Sequence, residues 1–375
     1  MSGSTMSGSA FAVVTGGGTS GHVLPALAIA DGLVANGHRK DEIVYIGAKR
    51  GIETRLLPPT GYPHHFLDVV GLQRRLAASN LSFPFKLVRS IAQSRRLLKR
   101  LRPAVVVSVG GYASFPATFA ARFRRIPVVV VSYDRIPGLA SRVSARFASA
   151  CAVAFEGSRL PRARYTGAPV RRDLILLDRA AGRESARRAL GIPLDRFVIA
   201  AFGGSLGSKV LNEAVNALVD DLGHRTDIAV RHVVGDRFLQ SAAAERSGEA
   251  GIMYDVIGYE DRMVEVYAAA DLMITRAGAS TIAELETAGM AAIIVPWAAS
   301  ADDHQTDNAR ILGDIGAAVV LTEADVASNG LTRSVLALVD DREHLADIAA
   351  RAYASGDAHR SGRLIALIEE LGASR

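Results

Sequence analysis

Two glycine-rich loops stand at matching places in the two halves of the chain, and each follows an apolar run of strand length. The first run, 11–14, leads into Thr15-Gly16-Gly17-Gly18-Thr19-Ser20-Gly21-His22; the second, 197–202, leads into Gly203-Gly204-Ser205-Leu206-Gly207-Ser208. A strand that ends in glycines and opens a helix presents backbone N–H groups and the positive end of a helix dipole. Such a place suits a diphosphate or a developing negative charge. Its duplication predicts two nucleotide-binding-type domains facing one cleft. At 375 residues the chain is too long for one ordinary core and comfortable for two.

The rest of the sequence fits that frame. Strand-like runs at 11–14, 42–46, 105–109, 128–132 and 150–154 alternate with helical patterns at 22–36, 52–57, 85–101 and 114–123. A βαβα order means a parallel sheet with helices on both faces. A stretch rich in Gly and Pro near 155–175 reads as an interdomain connection. The alternation then resumes, with strands expected at 197–202, 228–233, 254–257, 272–275, 292–295 and 317–321 and amphipathic helices at 333–338 and 344–353. The expected fold is α/β, two doubly wound parallel-sheet domains with ligands at the carboxyl ends of the strands. The expected partition is a leader at 1–10, a first domain at 11–168, a second at 169–348 and a C-terminal segment at 349–375. The leader is small and polar, without the basic and apolar regions of a signal peptide.

Composition narrows the function. Cys151 is the only cysteine, which rules out an intrachain disulfide or a cysteine-built zinc site and fits a reducing compartment. No apolar run reaches the length of a membrane span. Residues 1–170 hold 23 Lys/Arg against 7 Asp/Glu, a balance of +16, whereas residues 171–375 hold 21 against 31, a balance of −10. The front half should attract an anionic partner or surface, although the same split also serves solubility. Nucleic acid is not expected, because no recognition motif accompanies the charge and aromatics are only 6% of the chain.

Five places carry residues suited to chemistry. His22 stands in the first turn of the helix that follows the first loop; it reads as a base for a hydroxyl nucleophile, or as a simple helix-capping residue. Gly110-Gly111-Tyr112 ends another strand and offers a phenol to a polar ligand. Arg276-Ala277-Gly278-Ala279-Ser280-Thr281-Ile282-Ala283-Glu284 follows 272–275, so its N–H and hydroxyl donors suit a diphosphate. There Glu284 either takes a ribose or closes a capping box with Thr281. Asp302-Asp303-His304-Gln305-Thr306-Asp307-Asn308 lacks the anchoring pattern of a metal site, and Gln305 and Asn308 suit sugar hydroxyls and an amide. The segment Leu81-Ser82-Phe83-Pro84-Phe85-Lys86-Leu87-Val88-Arg89, with Arg95, Arg96, Lys99, Arg100 and Arg102 after it, reads as a membrane-surface contact or as a core-facing helix with a solvated basic face. The first loop matches G-x-G-x-x-G, but no acidic ribose ligand follows Tyr45-Ile46-Gly47 and there is no P-loop Lys, which argues against a dinucleotide oxidoreductase.

Taken together, Gly-Gly-Gly-Thr-Ser-Gly-His22, Gly110-Gly-Tyr112, Gly167-Ala-Pro-Val-Arg171, Gly203-Gly-Ser205-Leu-Gly207, Arg276 to Glu284 and His304-Gln305 with Asn308-Ala309 resemble the MurG family along nearly the whole chain. These are bacterial transferases that move N-acetylglucosamine onto undecaprenyl-pyrophosphoryl-muramoyl pentapeptide (lipid I), giving lipid II for peptidoglycan. The resemblance implies a GT-B fold of two Rossmann-like domains. The first would be the acceptor and membrane side, the second would bind the UDP-sugar, and a C-terminal helix (349–366) would cross back to the first domain. It implies an inverting hexosyltransferase, with UDP-N-acetylglucosamine as donor and without cofactor or metal, peripheral on the cytoplasmic face of the cell membrane. By the same likeness Thr19, Ser20, Gly21 and His22 line the catalytic loop and Tyr112 lies on the acceptor side. Arg171 and Ser205 meet the diphosphate, and Ala279, Ser280, Thr281, Ile282, Ala283 and Glu284 hold the nucleotide, with Glu284 on the ribose. Glu260 falls at a uracil contact, and His304 and Gln305 at the sugar.

The chain departs from the family in three places. The usual His-Glu-Gln-Asn tetrad reads Val131-Ser132-Tyr133-Asp134, the Gln after Gly-Gly-Ser is Leu206, and the Asn of Gly-Asn-Pro is Ala168. Asp134 can keep the accepting half of the asparagine's role or act as a second base. Other readings are a UDP-N-acetylglucosamine 2-epimerase-like enzyme, a transferase for another lipid or natural product, and a nucleotide-sugar binder without activity.

Overall fold

The structure is a computed structural model that describes residues 9–69, 83–204, 206–242, 246–247, 251–300 and 303–374. The chain divides into two compact units, one running to Arg172 and resuming at Ala358, the other Asp173–Asp357. The first unit holds β1 (Ala12–Thr15), β2 (Ile43–Ala48), β3 (His64–Leu67), β4 (Val105–Ser108), β5 (Val128–Ser132), β6 (Ala150–Val153) and β7 (Ala163–Tyr165) in the order β3-β2-β1-β4-β5-β6-β7. All neighbours are parallel. The second unit holds β8 (Phe197–Phe202), β9 (Ile228–Val233), β10 (Arg246–Ser247), β11 (Met253–Ile257), β12 (Leu272–Thr275), β13 (Ala292–Ile294) and β14 (Val319–Val320) in the order β10-β11-β9-β8-β12-β13-β14. Only β10 is antiparallel, at one edge.

The central strands read as unbroken aliphatic runs because both faces are covered. β4 is Val-Val-Val-Ser and β5 is Val-Val-Val-Val-Ser, and every residue of both is buried. β-branched side chains fill such a two-sided layer without alternation. In each sheet the strand order reverses beside the first strand, between β1 and β4 and between β8 and β12. Chain leaving the carboxyl ends of two adjacent strands diverges there, and the opening between them is where such sheets hold ligands. Both glycine-rich loops, Gly110-Gly111 and the Arg276–Gly278 turn lie at these two reversals.

Some elements escaped the sequence. β3 and β7 are edge strands with mostly half-buried or exposed side chains, so neither shows an apolar run. β14 is shorter than 317–321, because the Ala317 N–H still bonds the Leu312 carbonyl and finishes the preceding helix. The C-terminal segment divides differently from 349–366. Helix Arg342–Ser355 stays with the second unit, where Leu345 and Ile348 join its core. The helix that returns is Arg363–Ala373, in the first unit. Its Glu369 takes His38 and Asn36, each at 3.2 Å, and its Ile365 lies where a side chain on Gly32 would be.

The second unit's core encloses a polar knot. His232 is fully buried on β9, with Nδ1 at 2.8 Å from the Tyr254 hydroxyl and Nε2 at 3.2 Å from Asn212 Oδ1. Burial pushes its pKa from 6.5 down to about 4. The unfolded chain takes up this proton at the ordinary pKa, so stability is lost as pH falls from 6.5 towards about 4. The loss amounts to about 3 kcal/mol at about 1.4 kcal/mol per pH unit. Urea-unfolding midpoints should fall across this window, and the fall should be shallower in His232→Gln. Equal slopes in the two proteins would contradict the assignment.

Candidate functional site

In the first unit the site is built where β1 and β4 end. The Thr15 hydroxyl donates to the Ile46 carbonyl at 2.8 Å, and the Tyr45 hydroxyl to the Gly16 carbonyl at 2.6 Å, so β2 holds the start of the loop. Gly111 has φ +75°, and a Cβ there would lie 2.3 Å from the Gly17 carbonyl oxygen. The two glycine turns therefore touch backbone to backbone, which no other residue permits. At Gly18, with φ +96°, a Cβ would meet the Tyr112 ring at 2.6 Å, so Tyr112 seals the turn.

Thr19 stands at the N-cap of helix Ser20–Ala35 in extended conformation without a side-chain cap bond, and Ser20, Gly21 and His22 form the first turn, where no acidic side chain offsets the dipole. The His22 ring lies over Gly110 and Gly111, with Nδ1 at 3.1 Å from the Thr19 hydroxyl. Burial lowers its pKa, and the charges of Asp134 and Glu53 oppose the shift. A neutral imidazole with carboxylates close by is the arrangement of a base whose protonated form is tolerated. The altered tetrad finds its place here. The Tyr133 hydroxyl donates to the Gly21 carbonyl, and half-buried Asp134 faces His22 electrostatically. Sequence reasoning missed two participants, Tyr133 and Glu53. Tyr133 was legible only as a departure, and Glu53 sits in a four-residue helix with no motif around it.

In the second unit the site is the turn between β12 and helix Ala279–Ala288. Gly278 is the N-cap and has no side-chain cap to offer, so the first-turn N–H groups of Ala279, Ser280 and Thr281 point out of the helix. The Ser280 hydroxyl oxygen is buried and has no hydrogen-bond partner among the described residues. Ile282 and Ala283 pack inward, and Glu284 accepts from the Tyr267 hydroxyl at 3.2 Å. Since the N-cap is Gly278, the capping box of Thr281 with Glu284 is not formed. Arg276 fixes the turn. Its buried guanidinium bonds Ser208 Oγ at 2.7 Å and the carbonyls of Val295 and Pro296 at 3.1 and 3.0 Å, tying together the loops after β8, β12 and β13.

Other expected site residues have different settings. Ser205 and Asp302 lie outside the described residues. Arg171 belongs to the first unit, just before the chain crosses over. Glu260 is buried and spends its carboxylate on Arg231 Nε at 2.8 Å and on the Arg262 N–H at 2.8 Å, so its side chain is structural. Asn308, expected at the sugar, is fully buried and donates to the Ala277 carbonyl at 3.2 Å, which brings helix His304–Gly313 against the Arg276–Gly278 turn. On that helix His304 and Gln305 form the first turn, and Gln305 Oε1 accepts the Trp297 N–H at 3.0 Å. Asp303 accepts from Thr306 and Asp307 pairs with Arg310, so this polar cluster stabilises a helix start.

Residues 12–153 match the glycosyltransferase family 28 N-terminal domain and residues 198–362 the family 28 C-terminal domain. The chain is 40% identical over 365 residues, 96% of its length and 98% of the relative's, to the UDP-N-acetylglucosamine–N-acetylmuramyl-(pentapeptide) pyrophosphoryl-undecaprenol N-acetylglucosamine transferase of a Nocardioides species. It is 39% identical over 369 residues, 97% and 98% of the two chains, to the protein of the same name from Acidothermus cellulolyticus. The crystal structure of MurG from Acinetobacter baumannii superposes with a TM-score of 0.73 at 27% identity, covering 97% of this chain and all of that one. A UDP-GlcNAc 2-epimerase from Neisseria meningitidis shares the fold at 13% identity and a TM-score of 0.64, over 97% of this chain and 100% of its own. Fold alone thus fits an epimerase as well as a transferase, and sequence identity separates them. The two parallel-sheet units form the GT-B architecture, and the chain is a glycosyltransferase that belongs to the MurG family.

Proposed function

We propose that this enzyme transfers N-acetylglucosamine from UDP-N-acetylglucosamine to the muramoyl hydroxyl of lipid I, with inversion, forming lipid II. The observation that supports the reading most is the likeness along almost the full chain to relatives named for that reaction. The geometry suggests the roles. Helix Ala279–Ala288 offers its N-terminal N–H groups and the Ser280 hydroxyl, unpartnered among the described residues, to the diphosphate, and Glu284 offers a carboxylate to the ribose. Arg171 and Ser205 add donors to the same phosphates by family likeness. Gln305, beside His304, keeps its amide N–H groups for the sugar while its oxygen is held by Trp297. The first unit receives the acceptor at Thr19, Ser20, Gly21 and Tyr112.

His22 Nδ1 lies 3.1 Å from the Thr19 hydroxyl; this mechanism uses the tautomer with its proton on Nδ1, which leaves the Nε2 lone pair available. Nε2 takes the proton of the acceptor hydroxyl as its oxygen attacks the anomeric carbon. The bond from that carbon to the phosphate oxygen breaks, and its electron pair leaves with UDP. Charge growing on the leaving phosphate meets donors already in place, so little reorganisation is needed. Asp134 favours the imidazolium that forms.

The expected assay result is UDP release from UDP-N-acetylglucosamine that depends on a short-chain lipid I analogue. Conversion of the sugar without acceptor would instead mark an epimerase. His22→Ala should lower kcat by about 10²–10⁴-fold, the range of a lost general base, and leave the KM for donor nearly unchanged. A wild-type kcat would remove His22 from the scheme.

We also infer that the first unit docks on the anionic cytoplasmic face of the membrane. Among the described residues no helix is long and apolar enough to cross a bilayer. Helix Phe83–Leu101 leaves Phe85 81% exposed beside Lys86 and Arg89, and the helix packed against it, Phe115–Phe123, exposes Phe123. Apolar side chains among cations suit the headgroup region of acidic lipids. Co-sedimentation with vesicles containing acidic lipid should weaken with salt and drop in Phe85→Ser/Phe123→Ser. Binding indifferent to both would contradict this docking.

A further inference from the structure

Glu53 is a buried carboxylate at the centre of the first unit's site, with 0% exposure. Its oxygens accept the Ala48 N–H at 2.8 Å and the Gly18 N–H at 3.1 and 3.3 Å, so one side chain joins the end of β2 to the middle of the glycine loop. Three glycines make room for it. A Cβ on Gly17 would lie 2.2 Å from Oε1, one on Gly51 1.8 Å from Oε2, and one on Gly47 3.0 Å from its Cγ. Among the described residues no Lys or Arg forms an ion pair with it.

A charge without a cationic partner is expensive to bury, and two N–H groups compensate only in part. The loop that reads as an anion cradle is thus already filled from within. The groups facing this carboxylate are His22, Tyr45 and Tyr112, and each feels its charge. Asp134 acts on His22 from the segment after β5, and Tyr133 lies beside it.

We propose that Glu53 is a positioning residue for His22, holding the glycine loop on β2 and favouring the imidazolium that forms when His22 takes the acceptor's proton. The inference rests on the reading of His22 as base. The loop is then braced at three points, by Tyr45 at Gly16, Glu53 at Gly18 and Tyr133 at Gly21. Glu53 differs from the other two braces in carrying the charge that His22 senses.

The test compares Glu53→Gln, Glu53→Ala, His22→Ala and the double variant His22→Ala/Glu53→Gln in the full-length enzyme, with UDP-N-acetylglucosamine and a short-chain lipid I analogue. Glu53→Ala should lower kcat about 10–100-fold and Glu53→Gln less, since the amide keeps one acceptor but sets its NH2 against an N–H. KM for the donor should stay within about twofold, because the nucleotide is held in the other unit. The acidic limb of kcat/KM against pH should move to lower pH in Glu53→Gln, since loss of the negative charge disfavours protonated His22. The double variant should be no slower than His22→Ala. The proposal is overturned by wild-type kcat with an unmoved limb in Glu53→Gln, or by an equal loss when Glu53→Gln is added to His22→Ala. If Glu53→Ala does not fold, Glu53→Gln alone decides. Full activity in His22→Ala would overturn the reading of His22 itself, a different result from full activity in the Glu53 variants.

Discussion

The contact between two glycine turns, the Gly17 carbonyl against Gly111, sets the first unit's site. β1 and β4 are adjacent and parallel, with Thr15 opposite Ser108, so their exits leave the sheet side by side. Only chain without side chains can fold over both exits at that distance. Once it does, helix Ser20–Ala35 starts close to the sheet and His22 comes to rest on Gly110 and Gly111. The proposed base thereby rests against backbone.

The two units use one architecture for opposite electrostatic tasks. Each puts a helix N-terminus at the reversal of its strand order. In the first unit the protein's own carboxylate, Glu53, occupies the glycine loop, and negative charges surround a histidine. In the second unit the helix start, like that of Ser20–Ala35, has no acidic first-turn residue and no side-chain cap, but no carboxylate fills its turn, and a buried serine hydroxyl there has no partner among the described residues. In the proposed reaction one arrangement prepares for a proton, and the other for phosphates. A reaction that deprotonates a hydroxyl and expels a nucleoside diphosphate needs one of each.

The sequence made much of this readable because its strongest signals were those the backbone depends on. β5, β8, β9 and β12 are found at the predicted residues, since buried parallel strands are unbroken aliphatic runs ended by Gly or polar residues. His22 and the Ala279–Glu284 turn were legible from glycine followed by a helix pattern. Partnerships that join residues distant in sequence were not legible. Glu53 meets Gly18 across 35 residues, and Arg231 takes up Glu260 across 29. Asn308 reaches Ala277 across 31 residues, and so is structural where its composition suggested sugar recognition. The capping box at Thr281 failed for a local reason, because the helix begins at Ala279 and puts Thr281 too far in to cap it.

Labour is divided between the two loops in the proposed reaction, and the location of the bound donor tests that division most directly. A crystal structure with UDP-N-acetylglucosamine should show the diphosphate at the start of helix Ala279–Ala288, with Ser280 Oγ within hydrogen-bond distance of a phosphate oxygen and the ribose on Glu284. The Gly16–Gly21 loop should still be closed on Glu53. A diphosphate seated in that first loop, with Glu53 displaced, would contradict the account.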